Sequence, residues 1–353
     1  MNQDDEQGVI DLRSDTATRP TPEMLEAMVQ APLGDEQRRE DPTVRELEEL
    51  AARLLGQAAA VYLPTATMGN QIGVRILTRP GDEMLAEESS HLFAAELAGA
   101  AVHSGLATRS IEAPSGRFTA EQVRAKLRDW GRFHTPPTTL LAIEDTHNAS
   151  GGTYWRPEEL TAVVDTARDA GLKLHLDGAR LFNAAVARGR PAAEFAGQFD
   201  TVCVCFSKGL GAPLGAVLAG SEELMDRARL EKHRFGGAMR QAGVVAAAGL
   251  YALRHHVDRL ALDHARARRL AEGLIARGVG VRVDRVETNF VMVEVGPDPA
   301  AATRRLQEHG VLLSGTLRPG VFRALTHLDI GDAAIDAAIE RIPRALAGAG
   351  AST

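Results

Sequence analysis

Short apolar runs of strand length recur along this chain, and longer stretches with helical periodicity lie between them. The runs are Ala60–Leu63, Leu140–Glu144, Lys173–Asp177, Thr201–Cys205 and Ala216–Ala219. Several are apolar throughout, as strands covered on both faces are, so the alternation predicts an α/β domain with a largely parallel sheet between helical layers. The helix ends are legible. Asp41 stands before Pro42, so a carboxylate is ready to accept a free N–H and a proline with preset φ occupies the first turn. An apolar-periodic stretch follows through Leu55, and Gly56 permits a left-handed stop. Thr119 and Gln122 have the spacing of a capping box, and Pro157–Ala170 reads as a helix closed by Gly171.

After about Arg254 the pattern changes to a long helix, Asp258–Arg277. The segments Asn289–Val295, Ala300–His309, Val311–Ser314, Val321–Thr326 and Ala333–Ala347 follow it. This predicts a second, smaller α+β domain. The tail Gly348–Thr353 has nothing large to dock and is expected to fray.

Composition narrows the classes. With 44% hydrophobic and 25% charged residues in 353, disorder and collagen are excluded. No apolar run approaches the roughly 18–20 residues that cross a bilayer, and the start, MNQDDEQ, is acidic where a secretion signal is basic. A cytoplasmic protein without a membrane partner is expected. The net charge of −7 comes without a basic cluster, so nucleic acid is not an expected partner. Cys203 and Cys205 sit two apart in an extended run, too splayed for a disulfide and too few for a thiolate metal site. They read as buried apolar filler, and no metal is expected.

Two strand ends carry unusual residues. LKLHLDGAR runs into Asp177, Gly178 and Arg180; TVCVCF runs into Ser207, Lys208 and Gly209. Carboxyl ends of parallel strands open on one crevice, so an aspartate and a lysine from successive strands face one ligand there. An isolated pair of this kind is more often a structural ion pair. Glycines beside Lys208 shift the balance, because they keep bulk away from the amine. A lysine in a dry site is a nucleophile toward aldehydes, and a cofactor with an aldehyde on a pyridine ring, pyridoxal phosphate, uses both residues: Lys208 on the aldehyde carbon, Asp177 on the ring nitrogen. Its phosphate needs backbone N–H donors at a helix start. The stretch Leu63–Asn70 offers them, with hydroxyls from Thr65, Thr67 and Ser207. His91 and His147 stand at the mouths of α/β elements and are the histidines best placed for chemistry.

At these residues the chain resembles the low-specificity L-threonine aldolases, pyridoxal-phosphate enzymes of the aspartate-aminotransferase-like fold, type I. The matching strings are DLRSDTATRPTPEMLEAM, EDPTVRELEELAARLLG, DTHNASGGT, LHLDGARLFNAAVA, VCFSKGLGAPLGAVLAG, GGAMRQAG and RALTHLD, in family order over nearly the whole chain. The resemblance implies a mostly parallel seven-stranded sheet. It implies Lys208 as the Schiff-base lysine, Asp177 as partner of the pyridine nitrogen, and His91 as the histidine stacked on the ring. Arg180 would lie by the phenolic oxygen and the substrate carboxylate, with Ser14 and Arg323 as further carboxylate contacts. His147 would lie near the substrate hydroxyl. Thr65, Ala66, Thr67 and Ser207 would hold the phosphate, with Arg240 reaching in from a neighbouring subunit. A homodimer or homotetramer with interface sites follows. The expected division is an N-terminal segment, 1–40, that joins the small domain and the interface; a cofactor domain, 41–254; and a small domain, 255–353.

The reaction implied is a lyase reaction: retro-aldol cleavage of a β-hydroxy-α-amino acid, threonine, allo-threonine or a phenylserine-like analogue, into glycine and an aldehyde. His91 and His147 are both candidates for the base. Three departures from the family pattern stand out: Ala66 where glycine is usual, Gln37-Arg38-Arg39 where Val-Tyr-Gly is common, and Ala94-Ala95 where an aromatic is frequent. The last two bear on the substrate side chain. Rival readings are a β-eliminating lyase, transaldolase or racemase with the same cofactor, and an idle binding protein of the same fold. A NAD-dependent oxidoreductase is disfavoured by the lack of a strand followed by G-x-G-x-x-G and a distant acid.

Overall fold

A computed structural model describes residues 8–128, 133–282 and 285–347. The tail Gly348–Thr353 and the start MNQDDEQ, both read above, lie outside them. The central sheet has seven strands. Its order is Ala59–Leu63, Ala216–Gly220, Thr201–Cys205, Lys173–Asp177, Thr138–Glu144, Glu83–Glu87 and Ala107–Ile111. Ala216–Gly220 runs antiparallel to both of its neighbours and the remaining strands are parallel to one another, so the predicted α/β sheet is present. The five strand runs read from sequence all lie in it, within two residues of the expected ends.

Helix ends form as their residues dictate. Asp41 caps Pro42–Leu55 by accepting from the Val44 N–H at 3.0 Å, and Gly56 ends it at φ 63°. Thr119 and Gln122 make both arms of the capping box. The Asp41 carboxylate also takes the N–H groups of Gly34 and Gly243, so the cap doubles as a tertiary anchor. Cys203 and Cys205 are buried free thiols, the apolar role expected of them.

The two largest of four hydrophobic clusters among the described residues organise the chain. One covers a face of the large sheet and includes Leu47, Tyr62, Trp155, Leu176 and Phe206. The other joins Ile10 and Leu12 to Leu270, Val291, Phe322, Ile335 and Ile342. The C-terminal region has a three-stranded antiparallel sheet, ordered Ser314–Gly315, Val321–Leu325, Phe290–Glu294, packed with helices Leu260–Ile275, Pro299–Glu308 and Asp332–Ala347. The run expected as one strand from Val311 to Ser314 is divided. Val311–Leu312 pairs parallel with Ile10–Asp11, whereas Ser314–Gly315 pairs with Val321–Leu325. Leu313 is the corner at which the chain changes partner. No helix among the described residues is long and apolar enough to cross a membrane.

Among the described residues, three other than glycine adopt left-handed backbone: Arg39, Leu97 and Ala98. For a side chain with a Cβ this costs roughly 1–2 kcal/mol. Arg39, itself exposed, closes the turn Glu36–Arg38 at φ 59°. Arg39→Gly is therefore expected to raise stability in urea unfolding by on the order of 1 kcal/mol, less some entropy in the unfolded chain.

Candidate active site

The carboxyl ends of the parallel strands converge as their residues required. Asp177 ends its strand in register with Cys203, and Lys208 follows five residues beyond that on the adjacent strand's turn. Asp177 is buried; its Oδ2 accepts from Asn70 Nδ2 at 2.8 Å and its Oδ1 from the Ala179 N–H at 3.1 Å. The Lys208 ammonium has no hydrogen-bond acceptor among the described residues. Its charge is felt by Asp15, His91 and Cys203, so it stands within the same cluster. The Lys208 turn is tied down by its carbonyl, which accepts from Thr18 Oγ1 at 2.8 Å.

The phosphate segment forms a helix start. Thr65 caps Ala66–Leu77, accepting from the Met68 N–H at 3.2 Å, and the first N–H groups of the helix have no intrahelical partner. Ala66 does not take a left-handed backbone, so its methyl group is tolerated. Gly69 is needed for another reason: a Cβ there would stand 2.5 Å from Cys203 Sγ, which clamps helix against strand. Thr67 is exposed, and half-buried Ser207 lies 3.3 Å from Cys205 Sγ.

The arginines divide their work. Arg180 donates from Nε and Nη2 to both oxygens of Asp15, each at 2.7 Å, and both side chains are buried. Burial pushes the Asp15 carboxyl up, but Arg180 and Lys208 outweigh it and hold the group well below the usual carboxylate range. Arg180 is thereby largely committed. Arg323 gives one bond, Nη1 to Asn148 Oδ1 at 2.9 Å, and its buried Nε meets no partner among the described residues. Ser14, half-buried, accepts from the N–H and hydroxyl of Thr16.

The two histidines differ sharply. His147 is 1% exposed, with Nε2 at 2.9 Å from Glu87 and Nδ1 at 3.1 Å from Ser150 Oγ. A Cβ on Gly116 would stand 2.2 Å from its ring. Both of its nitrogens are thus engaged by protein. His91 is 31% exposed, is held at Nδ1 by Glu96 at 2.7 Å, and has no protein partner on Nε2 among the described residues. Glu144 fixes the neighbourhood of both, taking the N–H groups of His91 at 2.6 Å and Asn148 at 2.8 Å.

Arg240 is not brought to this cluster within one chain: it is 65% exposed and 3.3 Å from Asp35. Gln37, Arg38 and Arg39 are likewise exposed on the neighbouring turn. Asp15, Asn70, Glu96 and Asn148, which sequence reasoning did not single out, are in the cluster. Asp15 and Asn148 lay inside strings already read as significant, one residue from Ser14 and His147.

A family described as beta-eliminating lyase matches residues 11–297. The low specificity L-threonine aldolase of Escherichia coli K12 is 40% identical over 324 residues, covering 91% of this chain and 95% of that protein. The chain belongs to the low-specificity L-threonine aldolase family. Low-specificity L-threonine aldolase 1 of Arabidopsis thaliana is 38% identical over 334 residues, 91% of this chain and 93% of that one. A threonine aldolase structure from Leishmania major shares the fold at TM-score 0.83 with 19% identity, over 96% of this chain and 99% of that chain. In this family member the matched span ends at residue 297, before Arg323. The threonine aldolase relatives match over more than nine-tenths of the chain.

Proposed function

We propose that the protein is a pyridoxal-phosphate-dependent aldolase that cleaves β-hydroxy-α-amino acids such as L-threonine to glycine and an aldehyde. The observation that carries this is the Lys208 amine, without a hydrogen-bond partner among the described residues, beside the buried Asp177 carboxylate at adjacent strand ends. The residues suit the cofactor: a free amine for its aldehyde, a carboxylate for its ring nitrogen, and open N–H groups at a twelve-residue helix for its phosphate. When bound, pyridoxal phosphate supplies an electrophilic aldehyde and a protonated pyridine ring that accepts the electron pair of a broken bond at Cα.

This chain's residues supply the rest. Lys208 would hold the cofactor through its aldehyde, and Asp177, steadied by Asn70 and the Ala179 N–H, would keep the proton on the ring nitrogen. Arg323, with Nε free, clamps the substrate carboxylate and so sets which Cα bond is aligned for cleavage. As Cα–Cβ breaks, the hydroxyl oxygen becomes the aldehyde oxygen and its proton goes to His91 Nε2. One proton taken from water completes glycine at Cα, and His91 returns the hydroxyl proton to water, so no net proton is gained or lost. His91 is favoured over His147 because its Nε2 is free.

The proposed assembly is a homodimer or a tetramer of dimers, in which exposed Arg240 reaches a neighbour's site. Gln37-Arg38-Arg39 and Ala94-Ala95, exposed in the single chain, would then border the substrate side chain. A panel of β-hydroxy amino acids, threo and erythro, aliphatic, aromatic and acidic, assayed for glycine and aldehyde, tests the reading. Glycine release in step with aldehyde is expected; ammonia and a keto acid instead would make it a β-eliminating lyase.

A further inference from the structure

We infer that Glu96 positions His91 for the reaction, its buried carboxylate fixing the imidazole through Nδ1 so that Nε2 alone meets the substrate hydroxyl. This rests on the aldolase reading of the site. Glu96 is held from three sides. Its Oε1 accepts from His91 Nδ1 at 2.7 Å and from Asn70 Nδ2 at 2.8 Å, and its Oε2 accepts from Gln71 Nε2 at 2.5 Å. The side chain is fully buried.

Backbone and packing converge on this placement. Leu97 and Ala98, directly after Glu96, both adopt left-handed backbone, at φ 52° and 57°, and Leu97 is 95% exposed. Two such residues in succession are strained, and strain of this kind persists where the surroundings over-determine it. Here the reversal leaves Leu97 outside and Glu96 beneath His91. Gly99 completes the arrangement, because a Cβ at that position would stand 2.6 Å from Gln71 Cδ and displace the amide that anchors Glu96.

Asn70 links this pair to the cofactor contact. Its amide nitrogen has two hydrogens and serves two carboxylates, Glu96 Oε1 and Asp177 Oδ2, each at 2.8 Å. The orientation of the amide is fixed from the other end, where Asn70 Oδ1 accepts from His175 Nε2 at 3.2 Å. Burial pushes His175 down to about 4, so it is neutral, and its Nδ1 accepts from the Thr201 hydroxyl at 2.9 Å. Two carboxylates thus sit side by side, bridged by one amide.

The charged groups facing His91 are Glu96, Asp177 at its strand end, Lys208 on the next turn, and Glu144, which takes the His91 N–H. The hydrogen bond to Glu96 is the largest influence, and with Asp177 it raises His91 above the ordinary imidazole range against burial and Lys208. The same carboxylate that aims the ring therefore stabilises the imidazolium that forms when the hydroxyl gives up its proton.

Glu96→Gln keeps the shape and removes the charge. In the cofactor-free protein, the His91 imidazole, assigned by its loss in His91→Asn and followed by NMR, is expected to titrate lower in Glu96→Gln by about one pH unit. In the holoenzyme the acid limb of kcat/KM for glycine release should move to lower pH by the same amount, with kcat down by about a hundredfold and KM changed far less. An unmoved His91 titration overturns the proposal. If Glu96→Gln does not fold, the wild type decides alone: a His91 that titrates at or below about 6.5 overturns it. Glycine release by the wild type tests the aldolase reading separately, and its failure leaves the NMR comparison intact.

Discussion

Lys208→Ala is expected to remove turnover and covalent cofactor capture together. The wild-type protein, incubated with pyridoxal phosphate and then borohydride, should gain one cofactor mass per chain; the variant should gain none. Glycine release should fall by about four orders of magnitude or more, the scale on which enzymes lose activity with a nucleophile. Lys208 is half-buried at the turn and its ammonium makes no hydrogen bond to the described protein, so removing it breaks no folded contact. The thermal midpoint of the cofactor-free protein should therefore change little. A variant that still forms a borohydride-stable adduct and turns over would place the chemistry on another residue.

Asp15→Asn is expected to be the most damaging single change to stability at the site. The two short bonds from Arg180 are buried, and neutralising one partner strands a guanidinium out of water. Breaking such a pair costs about 3–5 kcal/mol. The loss should appear as a lower midpoint in urea with unchanged slope, and activity should fall because Arg180 is freed to swing toward Asn148, which Arg323 also uses. The pH dependence has a definite sign. Because the folded carboxyl lies below the unfolded value of about 3.9, its contribution is full above that value. It is lost only as the pH falls below the usual carboxylate range. Asp15→Asn should thus be destabilised at pH 7 and should converge with the wild type in strong acid. Equal stability of the two at pH 7 would dismiss the pair as a structural support.

What escaped the sequence has physical causes. The strands Glu83–Glu87 and Ala107–Ile111 were not anticipated, and neither reads as apolar. Glu83 and Glu87 are buried in the first because Arg128 and Thr138 satisfy one and His147 the other. The second lies at the sheet edge, where exposed polar residues are tolerated. Asn70 and Glu96 were invisible for a related reason. An asparagine inside a helix and a glutamate just after a short one look like ordinary surface residues until the Lys173–Asp177 strand brings Asp177 and His175 to Asn70, and the Ala66–Leu77 helix brings Asn70 and Gln71 to Glu96.

Local chemistry, by contrast, was written plainly. Asp41, Pro42 and Gly56 set the ends of one helix, and the Thr119 and Gln122 pair set the start of another, because capping needs only neighbours in the chain. The apolar runs set the central strands, since a strand buried on both faces disfavours polar side chains that find no partner. Asp177 and Lys208 could be placed at one crevice because parallel strands deliver their carboxyl ends to the same side. The division of labour among the charges was settled only by the tertiary structure. Arg180 is taken by Asp15 and Arg323 left open; His147 is locked by Glu87 and His91 is free at Nε2. A buried charge is defined by whichever partner reaches it, and these partners arrive from residues as distant in sequence as Asp15 and Arg180.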